Sequence, residues 1–187
     1  KFFANIDHDI LLAIVDNYIA DKRIVWLLHA VISSFETRPR VGLPLGNLTS
    51  QLFVNIYMNE FDQFMKHKLK AKHYIRYADD FVILSDKRQW LEAILPAIKN
   101  FLSSTLKLEL HPDKLFLKTV ASGVDFLGWI HFPTHRVLRT STRRRMVKNM
   151  TDASEESLQS YLGLLRHGDT HYWQQYIVAQ FLESQTE

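Results

Sequence analysis

Residues 74–84 read YIRYADDFVIL, two aromatic and β-branched runs that are separated by Ala78-Asp79-Asp80. Runs of this composition on either side of a short polar turn are typical of a β-hairpin. We therefore expect Tyr74–Tyr77 and Phe81–Leu84 to pair antiparallel, with both aspartates at the tip.

Two adjacent carboxylates at a tight turn repel each other unless a positive charge lies near them. A divalent cation supplies that charge, and hard oxygen ligands favour magnesium. Phosphoryl transfer uses such ions to activate the attacking hydroxyl and to stabilise the leaving oxygen. Asp79 and Asp80 are therefore candidate catalytic residues and candidate metal ligands, although aspartate is also a common turn residue.

The composition is that of an ordinary globular protein. Of 187 residues, 47% are hydrophobic and 23% are charged, and this length fits one or two small domains. The absence of cysteine excludes disulfides and thiolate metal ligands. The apolar runs are too short to cross a bilayer, and the sequence starts with no leader pattern. We expect a cytoplasmic protein with no membrane partner.

The positive charges are clustered. The net charge is only +3, from 23 Lys and Arg against 20 Asp and Glu. Residues 66–76 and 126–151, however, contain many basic residues and no acidic one. Such clusters suit a polyanionic partner, while a solvated surface is the alternative interpretation.

Periodicity along the rest of the chain predicts an α+β fold with a helical tail. The expected helices run from Asp7 or Asp9 to about Ala20, after Asp21, over about Thr49–Leu69, over about Lys87–Ser104, and from Thr142 onwards. A loop is expected at Thr37–Gly46. The expected strands are the end of one at Lys1–Phe3, then Leu106–Leu110, Lys114–Val120, Val124–His131 and Val137-Leu138.

Four motifs resemble those of reverse transcriptases, in the order and at the spacing of that family. They are GLPLGNLTSQ at Gly42–Gln51, the hairpin with Tyr77–Asp80, HPDK at His111–Lys114 and FLGW at Phe126–Trp129, which resembles the hairpin that grips the primer strand. The resemblance implies a polymerase palm over residues 1–140, in which an antiparallel sheet packs on helices, and a helical thumb over 141–187. It also implies an RNA-directed DNA polymerase that uses two Mg²⁺ ions, held by Asp79 and Asp80.

The same resemblance implies where the substrates bind. Residues implied to contact the incoming deoxynucleoside triphosphate are Phe3, Leu45, Gly46, Gln51 and Lys114. Residues implied to contact the primer, its cDNA extension or the template RNA are Phe126, Leu127, Gly128, Trp129, Arg143, Arg144 and Arg145. Glycines let a backbone approach a ligand closely, although Gly128 also suits a bulge in a strand. Thr49 and Ser50 are expected to cap the helix after the glycine loop.

The Gly42–Gln51 motif departs from the pattern of retroviral and group II intron enzymes at two points. Those enzymes usually have Gln-Gly and Ser-Pro where this chain has Leu45-Gly46 and Ser50-Gln51. The departures, with the tail Tyr161–Gly168, resemble the enzymes of diversity-generating retroelements, which copy a template RNA with frequent errors opposite adenine. That type implies a small basic accessory protein as a partner. Retron and group II intron enzymes are the alternative within the family.

The segment FANIDHDIL at Phe3–Leu11 resembles the one that follows the first catalytic aspartate of the family. The alignment makes Phe3 the residue beneath the nucleotide sugar and puts that aspartate two residues before Lys1. Asp7 then takes a helix-capping position and is not a metal ligand. We therefore expect residues 1–187 alone, which also lack the fingers region, to be inactive as a polymerase.

Two other functions would use part of these features. A nucleic-acid-binding relative without catalysis would keep the fold and the basic clusters. A metal-dependent nuclease or phosphohydrolase would use Asp79 and Asp80, but would leave Gly42–Gln51 and Phe126–Trp129 unexplained. The motifs together favour the polymerase.

Overall fold

The computed structural model describes residues 2–150 and 153–184, the last of them by its backbone alone. Two compact units divide the chain, Lys1–Phe116 and Leu117–Glu187. Each combines helices with a small antiparallel sheet, which confirms the predicted mixture of helix and sheet. The assignment of residues to a polymerase palm and a thumb stays a prediction.

The first unit places one hairpin among helices. Its helices are α1 (His8–Tyr18), α2 (Lys22–Ile32), α3 (Leu48–Gln63) and α4 (Arg88–Leu106), and its strands are β1 (His73–Tyr77) and β2 (Asp80–Leu84). A π-helical turn, Phe64–Lys68, extends α3. Helix α1 packs against α2 and α3, and α3 packs against α4. The buried core centres on side chains of α1, α3 and α4.

The first two helices begin where the sequence predicts. The Asp7 carboxylate accepts a hydrogen bond from the Ile10 backbone N–H at 3.1 Å, and Asp21 accepts one from Arg23 N–H at 2.9 Å. These bonds satisfy N–H groups that have no partner within the helix. Across residues 2–150 and 153–184, every helix is too short or too polar to cross a bilayer.

The predicted hairpin is confirmed. Strands β1 and β2 pair antiparallel, with Tyr74 opposite Ile83 and Tyr77 opposite Asp80. Tyr74 is buried and meets Phe61 of α3 at a ring-centroid distance of 6.0 Å, while Phe81 lies 5.1 Å from the same ring. Aromatic packing therefore fixes the base of the hairpin to α3.

Three predicted strands are wrong. Phe3–Asn5 is a 3₁₀ turn. Leu106–Leu110 forms no strand, because Lys107 adopts a left-handed conformation (φ 48°) that ends α4. Its alternation is nevertheless real, since Leu106 and Leu108 are both buried. Lys114–Val120 is also not a strand. Lys114 ends one 3₁₀ turn and Val120 begins the next. Alternating apolar residues indicate that one face of a segment is buried, but a β-strand also needs a neighbouring strand with which to pair.

The second unit begins with a three-stranded sheet. Its strands are β3 (Val124–Phe126), β4 (Trp129–His131) and β5 (Arg136–Leu138), paired antiparallel in that order. The segment Val124–His131, predicted as one strand from its pattern, is therefore a hairpin, as the resemblance of Phe126–Trp129 implied. Val137-Leu138 forms the expected strand and pairs with β4. The helices that follow are α5 (Thr140–Asn149), α6 (Glu155–Leu165) and α7 (His171–Ser184).

Sheet and helices of the second unit share one core. Trp129 and Leu138 from the sheet are buried with Met146 of α5, Leu165 of α6 and Ile177 of α7. This core crosses residue 140, so the compact units do not coincide with the predicted division at 140 and 141. The sheet groups with the later helices because its inner face is covered by them.

Gly168 gives a stability prediction for this core. A Cβ at Gly168 would lie 2.1 Å from Trp129 Cζ3 and 3.0 Å from the Arg136 carbonyl oxygen. We expect Gly168→Ala to lower the free energy of unfolding by about 1–3 kcal/mol, because overpacking forces neighbours apart. Urea denaturation of the whole protein measures this.

Gly163→Ala is the matched control, since nothing lies within 4 Å of a Cβ there. Within helix α6 this change is expected to raise stability by up to about 1 kcal/mol. Equal effects of the two changes would contradict the packing account of Gly168.

Candidate active site

The hairpin tip presents two carboxylates to solvent. Asp79 lies in the turn, Asp80 is the first residue of β2, and both are exposed. Ala78 before them has φ 51°, a left-handed conformation that costs a residue with a Cβ about 1–2 kcal/mol. Contacts elsewhere in the fold must therefore stabilise the turn.

One such contact comes from Arg76, whose Nη1 donates to the Ala78 carbonyl oxygen at 2.8 Å. The same guanidinium binds both carboxylate oxygens of Asp62 in α3, at 2.8 and 2.6 Å. Tyr74 Oη also donates to Asp62, at 2.7 Å. The hydrogen bonds with Asp62 raise the pKa of Arg76. Burial of the Tyr74 hydroxyl raises the pKa of Tyr74, and its hydrogen bond to Asp62 raises that pKa further. Both donors therefore stay protonated.

Sequence reasoning missed this network. It grouped Arg76 with the exposed basic cluster at residues 66–76, whereas only 9% of the Arg76 side chain is exposed. A signal was available, because side chains two apart in a strand share a face. Arg76 therefore lies on the face of buried Tyr74, where a charge needs a partner.

The glycine loop is joined to the start of the chain. Gly42 N–H donates to the Ile6 carbonyl and Leu43 N–H to the Phe3 carbonyl, both at 2.8 Å. The buried His8 ring lies 2.6 Å, Nε2 to oxygen, from the Gly42 carbonyl. Two segments with predicted nucleotide contacts, Phe3 and the Gly42–Gln51 loop, are thus brought together.

The glycines of that loop differ in their surroundings. Gly42 has φ 113°, and a Cβ there would lie 2.6 Å from Thr37 Oγ1. Close contact with Thr37 is thus one reason for glycine at this position, and its approach to a ligand stays a prediction. Gly46 has φ 89° with nothing within 4 Å of a Cβ, so its side of the loop is open.

The remaining loop residues lie at the start of α3. Leu45 is 69% exposed, and Gln51 is exposed in the first turn of the helix. Helix α3 begins at Leu48 after Asn47, so the prediction that Thr49 and Ser50 cap it is wrong, because both lie inside the helix. Lys114 is exposed at the end of a 3₁₀ turn rather than in a strand.

The predicted primer contacts lie in the second unit. Leu127 and Gly128 form the turn between β3 and β4, with φ 53° and 82°, as a two-residue hairpin loop requires. Gly128 is therefore a turn residue, and the prediction that it lies within a strand is wrong. Leu127 is 46% exposed, whereas the Trp129 side chain is buried in the core. Phe126 is half-buried.

The three arginines of α5 differ in their contacts. The Arg143 guanidinium lies 4.9 Å from the centre of the Trp173 ring, a cation–π contact. Arg144 and Arg145 are exposed. They lie in the sequence segment 126–151 that carries no acidic residue, so the middle of α5 presents two positive charges to solvent.

The chemistry of the tip suits a divalent cation. Asp79 and Asp80 offer adjacent oxygen ligands, which Mg²⁺ prefers, with water completing its octahedral shell. Among the described residues, no group of three or more His, Asp or Glu side chains lies close enough to hold a metal ion.

Comparison with known proteins agrees with the motifs. The family model described as reverse transcriptase (RNA-dependent DNA polymerase) matches residues 1–131. The chain is 27% identical over 204 residues to Protein YkfC of Escherichia coli (strain K12), covering 88% of this chain and 52% of that protein. It is 23% identical over 214 residues to the group II intron-encoded protein LtrA of Lactococcus lactis subsp. cremoris, covering 78% and 35%.

A third relative matches a shorter segment. The uncharacterized 91 kDa protein in cob intron of Schizosaccharomyces pombe is 31% identical over 71 residues, 35% of this chain and 9% of that protein. The chain spans about half the length of YkfC and about a third of LtrA. The family model covers more than two thirds of the chain, and the chain therefore belongs to the reverse transcriptase (RNA-dependent DNA polymerase) family.

Proposed function

We propose that the protein is an RNA-directed DNA polymerase that copies a template RNA into cDNA. The observation that carries the proposal is the hairpin tip, where the consecutive residues Asp79 and Asp80 are both exposed at the turn between two paired strands. The family membership of residues 1–131 supports the same activity.

Asp79 and Asp80 would hold the two Mg²⁺ ions of this chemistry. When bound, such ions lower the pKa of an attacking hydroxyl and stabilise charge on a leaving oxygen. The protein's own part is to keep two negative charges at a fixed place. Exposure of the tip leaves room for the primer 3′ end and the triphosphate to approach.

The substrate contacts belong to the same proposal. The joined segments around Phe3, Leu45, Gly46 and Gln51 would bind the incoming nucleotide, and Lys114 would approach its triphosphate. The turn at Leu127-Gly128 would contact the primer, and Arg143–Arg145 would contact phosphates. The open side of Gly46 and the exposed Arg144 and Arg145 of α5 support these roles.

Two subtypes of the enzyme are supported by different observations. Leu45-Gly46 and Ser50-Gln51 favour the diversity-generating type, which would bring a small basic accessory protein as a partner. The match to the group II intron-encoded protein LtrA favours a group II intron type. We propose the first and keep the second as the alternative.

Leu45 provides a test of the subtype. Its side chain is 69% exposed at the loop, so an amide at this position would offer hydrogen bonds to a nucleotide where leucine offers none. We expect Leu45→Gln to change misincorporation opposite template adenine at least about threefold, which corresponds to about 0.6 kcal/mol or more in the discrimination between nucleotides. Deep sequencing of the cDNA measures the error spectrum.

Leu52→Gln is the control for Leu45, because Leu52 is also exposed on α3 (57%) and lies outside the motif. It is expected to leave the error spectrum unchanged. An unchanged spectrum in Leu45→Gln as well would remove Leu45 from the account of fidelity.

One gel assay separates the proposed function from its rivals. The whole protein, meaning the full natural chain that contains residues 1–187, is incubated with a 5′-labelled DNA primer on a template RNA, with Mg²⁺ and all four deoxynucleotides. A polymerase lengthens the labelled primer, a nuclease shortens it, and a non-catalytic relative binds it without changing its length. We expect lengthening that stops when a chelator is added.

A further inference from the structure

We propose that Arg76 is a positioning residue for the catalytic turn, through a guanidinium that joins the Ala78 carbonyl to the Asp62 carboxylate of α3. The inference rests on the proposed function and deepens it. It concerns how the fold determines the place of the two carboxylates rather than which groups carry the chemistry.

The contacts of Arg76 are those of a fixed support. Two parallel N–H···O bonds reach Asp62, one bond reaches the Ala78 carbonyl, and Nη1 lies 3.3 Å from the Asn55 side-chain oxygen. The planar guanidinium can make these bonds at once, because its donors form a rigid fork. The turn is thereby tied to α3 at Asn55 and at Asp62 in its last turn, and α3 contributes to the buried core.

Burial distinguishes this ion pair from the others in the described part of the chain. The side chains of Arg76 and Asp62 are 9% and 28% exposed. Those of Arg88 and Glu92 are 73% and 50% exposed, and Arg40–Asp9 is similarly open. Exposed pairs contribute little because solvent screens them, whereas breaking a buried pair leaves an unpaired charge. The Arg76–Asp62 pair can therefore fix the position of the turn at Ala78, which an exposed ion pair could not do.

The turn needs such support. Ala78 adopts φ 51°, and its carbonyl, which receives the Arg76 bond, belongs to the peptide unit that leads into Asp79. That bond fixes the orientation of the peptide plane. Since the Asp79 and Asp80 side chains are exposed at the tip, the backbone of the turn governs where the two carboxylates lie.

Tyr74 supplies a matched control. Its hydroxyl donates to Asp62 Oδ1 at 2.7 Å, as Arg76 Nε does, but it makes no bond to the Ala78 carbonyl. Tyr74→Phe removes one hydrogen bond of the network and leaves the link between Arg76 and the turn in place. Arg76→Lys keeps the positive charge but cannot reach Asp62 and Ala78 together, because an ammonium lacks the fork.

The test measures primer extension by the whole protein across a Mg²⁺ titration, together with the melting temperature. For Arg76→Lys we expect kcat to fall at least about tenfold and the half-saturating Mg²⁺ concentration to rise at least about threefold, because small displacements of catalytic groups have large effects on rate. Tyr74→Phe is expected to stay within about threefold of the unaltered protein in both quantities.

The half-saturating Mg²⁺ concentration distinguishes a residue that positions the catalytic turn from one that only stabilises the fold. A purely structural Arg76 would lower the melting temperature, while the folded fraction would keep the ordinary half-saturating Mg²⁺ concentration. That result would overturn the inference, as would equal effects of Arg76→Lys and Tyr74→Phe.

A second variant covers the case in which Arg76→Lys does not fold. Asp62→Glu keeps the charge and displaces the carboxylate, and we expect it to raise the half-saturating Mg²⁺ concentration. An ordinary Mg²⁺ requirement in that variant would overturn the inference. Failure of the proposed function has another signature, which is the absence of Mg²⁺-dependent extension by the unaltered protein.

Discussion

Replacing Asp79 with asparagine is expected to reduce primer extension by the whole protein at least about a hundredfold, a loss of ~3 kcal/mol in transition-state stabilisation. Asparagine keeps the shape of the side chain and removes the charge. The change tests the charge itself because Asp79 is exposed in the turn, where the fold does not depend on its packing.

Asp86→Asn is the control, since Asp86 is exposed just beyond the other end of β2. It removes the same charge from the same hairpin and is expected to retain extension within about threefold of the unaltered protein. Extension by Asp79→Asn at the level of Asp86→Asn would remove the tip from the catalytic account.

The double change Arg144→Gln and Arg145→Gln is expected to weaken binding of a primer–template duplex about ten- to a hundredfold near 0.1 M salt. Both side chains are exposed on α5, in a segment without acidic residues. If both neutralise phosphates, the slope of log K against log salt concentration should fall by about two. Binding titrations at several salt concentrations measure both quantities.

A matched pair of changes controls for net charge. Arg23→Gln with Arg88→Gln removes two exposed positive charges from α2 and α4 and is expected to leave the salt slope unchanged. Equal losses in the two double variants would show that binding follows overall charge rather than the surface of α5. Arg143 is left unaltered because its contact with Trp173 also belongs to the fold.

Local signals explain what could be predicted of the fold. The hairpin at residues 73–84 closes over a two-residue turn, so composition and spacing suffice to define it. The caps at Asp7 and Asp21 bond to N–H groups two or three residues away. Interactions between residues this close in the chain can be predicted from the local sequence.

Long-range packing explains what could not be predicted. Alternation at Leu106–Leu110 marks a buried face, but whether another strand pairs with it depends on distant parts of the chain. The grouping of the β3–β5 sheet with α5–α7 depends on a core that joins Trp129 to Ile177. No local pattern carries that information.

The candidate site shows the same division. The tip aspartates and the glycine loop are recognisable as motifs, whereas the bond between Arg76 and Asp62 spans 14 residues and needs the fold. The structure was also needed to explain individual glycines. A side chain at Gly42 would collide with Thr37, and Gly128 lies in a turn with φ 82°.

Templated incorporation of single nucleotides tests the central claim most directly. The whole protein is given a DNA primer on RNA templates that differ only in the first unpaired base, with one labelled deoxynucleotide at a time and Mg²⁺. The account predicts incorporation that follows the template base, with departures concentrated opposite adenine. Incorporation should stop after chelation and fall at least about a hundredfold in Asp79→Asn. Incorporation that ignores the template base, or that continues in Asp79→Asn at the rate of the unaltered protein, would contradict the account.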